Sequence, residues 1–320
     1  MTDGIFEQFG NSYRISKNIT KVNRWPTYSF TVSTNSLGFR DRAPGTRNIT
    51  DKPYALVMGS SDTFANGVDY EDSFVGLIDE AASKKGMEVL NMAAGGHKIS
   101  DQLLLFKDFM ATAPAKPSVI YFCMNPLLIY TFNKEESIIV RDGYLFENES
   151  WRTAYVRLIL GNLSSAYCIF RDNIRKIQLR LNESHFREAK SFLDLYSKNN
   201  QMHTPEILKQ FEEQMDAFLE YCRQNAMPVV FIYLPIVDGF RLGELLAQLG
   251  QEPDGYDTSY YEEVMRAYCS KRNLRLINAT PVLKSHHDRG EQLTFRFEPH
   301  YNKEANSIIG EFLINELFRQ

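Results

Sequence analysis

Apolar residues fall into five short runs along the chain, at 54–58, 87–90, 119–124, 229–234 and 274–277. Each is rich in β-branched, aromatic or aliphatic residues, and Pro or Gly sits near the edge of most of them. Between the runs lie stretches with helical spacing of apolar positions, at 73–85, 100–111, 205–224 and 259–271, and a last one at 303–318 closes the chain. Strands that are apolar on both faces cannot lie on a half-wet sheet, so helices must cover both sides. Such strands alternating with helices predict an α/β class with a doubly wound parallel sheet.

Two segments break that rhythm. Residues 1–50 are polar and turn-rich, and read as an amino-terminal arm laid against the core. Residues 127–204 separate the third and fourth strands by much more than an ordinary crossover. This insert carries a helical pattern at 163–181 with Arg171, Arg175, Lys176 and Arg180 on its polar side. It is expected to be mostly helical and to act as a lid or specificity element on a single domain spanning 1–320.

With 43% hydrophobic and 24% charged residues in 320, the chain is globular in composition. Its 36 basic and 40 acidic residues leave a net charge of −4, which argues against nucleic acid as a partner. The longest apolar stretch, 229–237, is far short of the ~20 residues that cross a bilayer, and Pro235 interrupts it. The amino terminus lacks the basic start and apolar centre of a signal peptide. A soluble, cytoplasmic protein is expected, with an exported or envelope-associated location open if an anchor has been removed. Cys123, Cys168, Cys222 and Cys269 form no CxxC pair and sit in apolar segments, so neither a zinc site nor a disulfide framework is expected. His286-His287-Asp288 resembles a metal cluster, but adjacent residues seldom converge on one ion; a polar loop is the plainer reading, and no metal is expected.

In a doubly wound sheet, ligands bind beyond the carboxyl ends of the strands. After the first strand comes Gly59-Ser60-Ser61-Asp62-Thr63-Phe64, a serine on a strand-to-helix turn. After the second comes Asn91-Met92-Ala93-Ala94-Gly95-Gly96-His97, whose small residues let backbone amides approach a ligand. Asn125-Pro126 follows the third, and Glu298-Pro299-His300-Tyr301-Asn302 precedes the final helix. Serine, histidine, a carboxylate and N–H donors are the parts of nucleophilic acyl transfer.

The order of these blocks resembles the SGNH (GDSL-like) hydrolase superfamily. Gly59 to Phe64 is similar to the first block, Asn91 to Gly96 to the second, Asn125 to the third, and His300 with Asn302 to the fifth. Gly67-Val68-Asp69-Tyr70-Glu71-Asp72-Ser73-Phe74 continues the likeness. Asn35-Ser36-Leu37-Gly38-Phe39-Arg40-Asp41 is similar to an amino-terminal motif of bacterial members tied to polysaccharide or envelope metabolism. The resemblance implies a three-layer α/β/α sandwich around a five-stranded, flavodoxin-like parallel sheet of order 2-1-3-4-5. It implies Ser61 as nucleophile, His300 as base, and an oxyanion hole from Ser61, Gly96 and Asn125. Glu298 is the candidate triad acid, because the family's usual position falls on Phe297. Pro299 restricts Glu298 to extended backbone, so a backbone carbonyl stands as the alternative orienter.

The sequence departs from the pattern at Ser60, which replaces an Asp, and at Cys123 and Pro126. Asp62 replaces an apolar residue and sets a negative charge beside the site, able to repel anionic substrates or to bond a sugar hydroxyl; otherwise it is a helix-start carboxylate. His97 is placed next to the substrate. The resemblance implies a serine esterase that removes a small acyl group, acetyl foremost, from a small molecule or glycan without any cofactor. A glycan O-acyltransferase using the same acyl-enzyme is the alternative, and a catalytically inactive carbohydrate-binding module is a third. Acyl length, alcohol half and oligomeric state are not legible in the sequence.

Overall fold

The computed structural model describes residues 4–24, 28–130, 138–147, 193–200, 203–295 and 298–318. Along the chain come β1 (Phe6–Phe9), β2 (Ser12–Ile15), β3 (Thr20–Arg24), β4 (Ser29–Thr34), β5 (Arg40–Asp41) and β6 (Tyr54–Met58). Next are α1 (Ser61–Phe64), α2 (Phe74–Ser83), β7 (Glu88–Asn91), α3 (Ile99–Thr112), β8 (Val119–Met124) and α4 (Pro126–Tyr130). A hairpin of β9 (Ile138–Arg141) and β10 (Tyr144–Glu147) follows. Beyond it lie the helix Pro205–Gln224, β11 (Val229–Tyr233), the helices Leu242–Leu249 and Tyr260–Lys271, and β12 (Arg275–Asn278). The helix Thr280–Asp288, the pair β13 (Thr294–Phe295) and β14 (Glu298–Tyr301), and the closing helix Lys303–Phe318 complete the described chain.

The five predicted strands form one parallel block ordered β7-β6-β8-β11-β12, which is 2-1-3-4-5. Its register pairs Leu56 with Leu90 on one side and Ile120 on the other, and Phe122 with Phe231. Because side chains alternate across a strand, each strand feeds two cores. Tyr54, Leu56 and Met58 of β6, with Phe122 and Phe231, pack beneath α3 and the 205–224 and 260–271 helices. Ala55 and Val57, with Tyr121 and Ile232, pack beneath α2, the 280–288 helix and the closing helix. Covering both faces removes each large apolar side chain from water, worth roughly 1.5–3 kcal/mol apiece.

The arm is more than a strap laid on the core. Its residues extend the sheet to eight strands: β5 pairs antiparallel with β7 through Arg40 and Asn91, β4 with β5, and β3 with β4. In β4, Phe30, Val32 and Thr34 are buried on one face, and Ser33 is buried as well. The first hairpin, β1–β2, lies off the sheet and buries Ile5, Phe6, Tyr13 and Ile15 against Phe64, Ala93 and Ala94. The β9–β10 hairpin of the insert docks on it: Phe6 N–H donates to the Gly143 carbonyl at 3.0 Å and Val140 N–H to Gln8 Oε1 at 2.9 Å. The insert is expected to be mostly helical; this strand pair is an addition to that expectation, and most of the insert lies outside the described residues. The expected helix at 163–181, with its four basic residues, Cys168 and His185 lie outside the described residues.

Arg40 joins the arm to the first strand-to-helix turn. It is 1% exposed, and among the described residues no carboxylate bonds its guanidinium. Nη1 donates to the carbonyls of Phe64 and, at 2.7 Å, of Ala65; Nη2 donates to Val68 at 2.6 Å and Thr31 at 3.1 Å. The rings of Phe64 and Phe30 flank it, 4.6 and 5.5 Å from the guanidinium carbon. Burial lowers its pKa to about 10, with Tyr70, Asp69 and Glu71 opposing, so it stays charged at neutral pH. These bonds satisfy the last carbonyls of α1, where Ala65 turns left-handed at φ 63°.

His97 sits under the first hairpin. Its Nε2 lies 2.9 Å from the Tyr13 carbonyl, which can only accept, so the proton is on Nε2 and Nδ1 is a bare, buried lone pair. Burial lowers its pKa, and Asp101 and the Tyr13 bond only partly oppose this.

Two outcomes follow from these contacts. Arg40→Leu strands several buried carbonyls and should cost at least ~3 kcal/mol, read from the urea-unfolding midpoint; an unshifted midpoint contradicts the clamp. Since His97 stays neutral when folded but binds a proton when unfolded, its contribution is complete above pH 6.5 and is lost as pH falls from there toward its lowered folded value. The melting temperature should therefore drop between pH 7.5 and 5.5, and His97→Gln should flatten that drop.

Candidate active site

Ser61 opens α1 at the carboxyl end of β6, half-exposed, with Gly59 behind it. A Cβ on Gly59 would lie 2.2 Å from Thr63 Oγ1, so the close turn excludes any side chain there. Gln102 of α3, fully buried, clamps the same residue: Gly59 N–H donates to Oε1 at 3.1 Å, and Nε2 donates back to the Gly59 carbonyl. Asn91, at the end of β7, donates from Nδ2 to the Thr63 carbonyl at 3.0 Å. With Arg40, three side chains from three elements fix the turn that carries Ser61. Sequence reasoning missed Gln102 and the role of Arg40.

Asn125 follows β8 and is 3% exposed. Its Oδ1 accepts Leu128 N–H at 2.9 Å, which fixes the amide's orientation and aims Nδ2 at the serine turn. Nδ2 donates to Ser60 Oγ at 3.1 Å and to Asp62 Oδ2 at 2.8 Å. The third block and the first are thus bonded directly. Asp62 lies half-exposed at the mouth, on the first turn of α1.

Gly96 is exposed beyond β7 at φ +82°, and a Cβ there would meet the Tyr13 hydroxyl at 2.7 Å. That hydroxyl donates to the Gly95 carbonyl at 2.5 Å. Asn66, half-exposed on the far side of α1, lies beside Gly95. His97 points away from this mouth and into the hairpin, with its ring 4.6 Å from that of Tyr13.

His300 is half-exposed on β14, which lies against α1. Its flanks are tightly held. The buried Tyr301 hydroxyl donates to the Pro235 carbonyl, and Asn306 Nδ2 donates to the Tyr301 carbonyl at 3.1 Å. Asn302 Oδ1 accepts Ala305 N–H at 3.0 Å, capping the closing helix. Glu298 pairs with Phe295 in the β13–β14 ladder, and its side chain lies outside the described residues.

Other nucleophile and metal candidates fare worse. Burial pushes the thiols of Cys123, Cys222 and Cys269 up to about 12, although a Thr63 bond lowers Cys123 and the nearby Arg272 lowers Cys269. His286 and His287 end the helix Thr280–Asp288 rather than forming a loop; His286 Nδ1 bonds Glu291 at 2.6 Å. His203 stacks on Tyr260, and its Nε2 lies 2.9 Å from the Tyr261 hydroxyl. Among the described residues no group of three or more His, Cys, Asp or Glu is arranged to hold a metal. No helix among them is long and apolar enough to cross a membrane.

No family model and no curated protein matches the chain. It is similar to a solved lipolytic protein of the G-D-S-L family from Veillonella parvula, at 13% identity over 83% of this chain and 99% of that one, with a TM-score of 0.43. It is similar to an acetyl xylan esterase, AlAXEase, at 14% identity over 82% and 99% of the two chains, with a TM-score of 0.45. It is likewise similar to an acetylxylan esterase from Geobacillus stearothermophilus, at 11% identity over 86% and 98%, with a TM-score of 0.47.

Proposed function

We propose that the protein is a serine esterase of the SGNH type that removes a small acyl group, acetyl foremost, from a hydroxyl of a carbohydrate. The observation that carries this reading is the direct bond between Asn125 and the Ser60–Asp62 turn, which sets an amide donor beside a serine on a rigidly clamped, half-exposed turn. A side-chain N–H₂ at that place suits an oxygen on which negative charge develops.

In this mechanism Ser61 Oγ attacks the ester carbonyl while His300 takes its proton. The Ser61 and Gly96 amides and Asn125 Nδ2 hold the oxyanion. Collapse of the tetrahedral intermediate breaks the bond to the alcohol, and His300 returns the proton to the departing oxygen. Water, deprotonated by His300, then attacks the acyl-enzyme; the bond to Ser61 Oγ breaks, His300 returns the proton to that oxygen, and the acid is freed. Glu298 orients the imidazole and stabilises its charged form. Preorganisation is the chain's main contribution: the clamp by Gln102, Asn91 and Arg40 is made before substrate arrives.

Ser61→Ala should abolish hydrolysis of p-nitrophenyl acetate with an unshifted melting temperature, since one half-exposed hydroxyl contributes little to stability. A fluorophosphonate should label Ser61 alone; labelling at another serine reassigns the nucleophile.

His300→Ala should be inactive, whereas Glu298→Gln should lower kcat at least ~10-fold, less than the ~10⁴ lost when the serine-protease template loses its Asp. A silent Glu298→Gln beside a dead His300→Ala makes the enzyme a Ser–His dyad with the ring held by a backbone carbonyl.

A further inference from the structure

The amide of Asn125 has two hydrogens, and both are spoken for. The orientation is not free, because Oδ1 is held by Leu128 N–H at 2.9 Å. One hydrogen goes to Ser60 Oγ at 3.1 Å and the other to Asp62 Oδ2 at 2.8 Å. Burial of Asn125 and Pro126 leaves the amide no room to swing elsewhere. An oxyanion that uses this donor must therefore displace one of the two acceptors. Ser60 is 8% exposed and packed inside the turn, whereas Asp62 is half-exposed at the mouth. Asp62 is the acceptor that can leave.

While it stays, the Asp62 carboxylate competes with the oxyanion for one N–H and carries the same sign of charge. A simple ester has nothing to draw it away. An ester whose alcohol half bears a neighbouring hydroxyl does: that hydroxyl donates to Asp62, the carboxylate turns toward it, and the Asn125 hydrogen is released. We propose that Asp62 is a substrate-read latch on the oxyanion donor, selecting acyl esters of polyhydroxy alcohols over simple alkyl and aryl esters. This rests on the serine-esterase reading and specifies which alcohol half the site accepts. It assigns Asp62 to specificity and leaves bond making to Ser61 and His300.

The test compares the wild-type chain with Asp62→Asn and Asp62→Leu on p-nitrophenyl acetate and on glucose 6-acetate, with fluorophosphonate labelling of all three proteins. Leu removes the acceptor and the charge, while Asn keeps the shape and removes only the charge. Both variants should raise kcat on p-nitrophenyl acetate, Leu by at least ~10-fold, a fraction of the ~10²–10³ that one oxyanion donor supplies. Both should lower kcat/KM on glucose 6-acetate by at least ~10-fold as the contact to its hydroxyl is lost. Ser61 labelled throughout with an unchanged ratio between the two esters overturns the latch alone. Equal losses on both esters also overturn it, making Asp62 a support of the turn. A wild-type protein that favours the aryl ester as strongly as Asp62→Leu does overturns the polyol selection. No label on Ser61 in any of the three folded proteins overturns the serine-esterase reading, and the latch falls with it.

Discussion

A buried guanidinium to which no carboxylate is bonded among the described residues is the constraint around which the amino-terminal half of this protein is arranged. Arg40 remains ionised at neutral pH, and an isolated charge in the interior costs far more than one contact returns. It is tolerated because carbonyls from β4, from the end of α1 and from the loop after it converge on it, with aromatic faces alongside. The acceptors come from β4, the end of α1 and the loop after it, so none of these stretches can be moved without costing the charge some of its ligands. The arm, the strand-to-helix turn and the loop at Val68 are thereby fixed as a unit. Next to it, Asp41 binds Arg47, which also reaches Asp79 and Glu88 and so ties the arm to α2 and β7.

Around the serine turn the scaffold changes from charge to neutral amides. Gln102, Asn91 and Asn125 each use a carbonyl and an N–H₂ together, meeting a backbone donor with one end and an acceptor with the other. A buried amide satisfied at both ends costs little desolvation and permits only one orientation. Such amides hold the turn and its donors still without placing fixed charges beside them. Asp62 is the exception, a carboxylate on the one amide that faces the mouth. Its half-exposed position is what makes an ionised group tolerable there.

The parallel block was legible because its strands are buried on both faces and so read as continuous apolar runs; their ends came within a residue of those observed. β3 to β5 were not, since β5 is two residues long and Val22 at the sheet edge is 43% exposed, leaving little pattern to detect. The 280–288 helix was hidden by its His pair, although Pro281 at its first turn was a usable signal. Reading the strand ends singled out the serine turn, Gly96 and Asn125, which follow β6, β7 and β8 at the carboxyl edge of the parallel block; His300 lies on β14, off that block, and was picked out from its place before the closing helix. What topology could not supply was burial. Gln102 shares the i, i+3, i+4, i+7 stripe of Leu105, Phe106 and Phe109, and a polar residue on an apolar stripe was the available hint. For Arg40 and His97 no sequence pattern distinguishes a buried side chain from a solvated one.

The turn that presents Gly96 is shaped by parts of the chain that the parallel sheet does not require. Tyr13 bonds the Gly95 carbonyl and stands so close to Gly96 that no side chain fits there. Tyr13 is itself held by Phe6 across a ring contact of 5.2 Å, and Phe6 pairs through its backbone with Gly143 of the insert. Beneath, His97 can accept this packing only while uncharged. The sequence of contacts therefore runs from the insert hairpin to the first hairpin to the backbone of the second block. Packed interiors transmit displacement with little loss, because few voids exist to absorb it. Displacing the hairpin at 138–145 therefore displaces the first hairpin and Tyr13, and displacing Tyr13 displaces the backbone at Gly95 and Gly96.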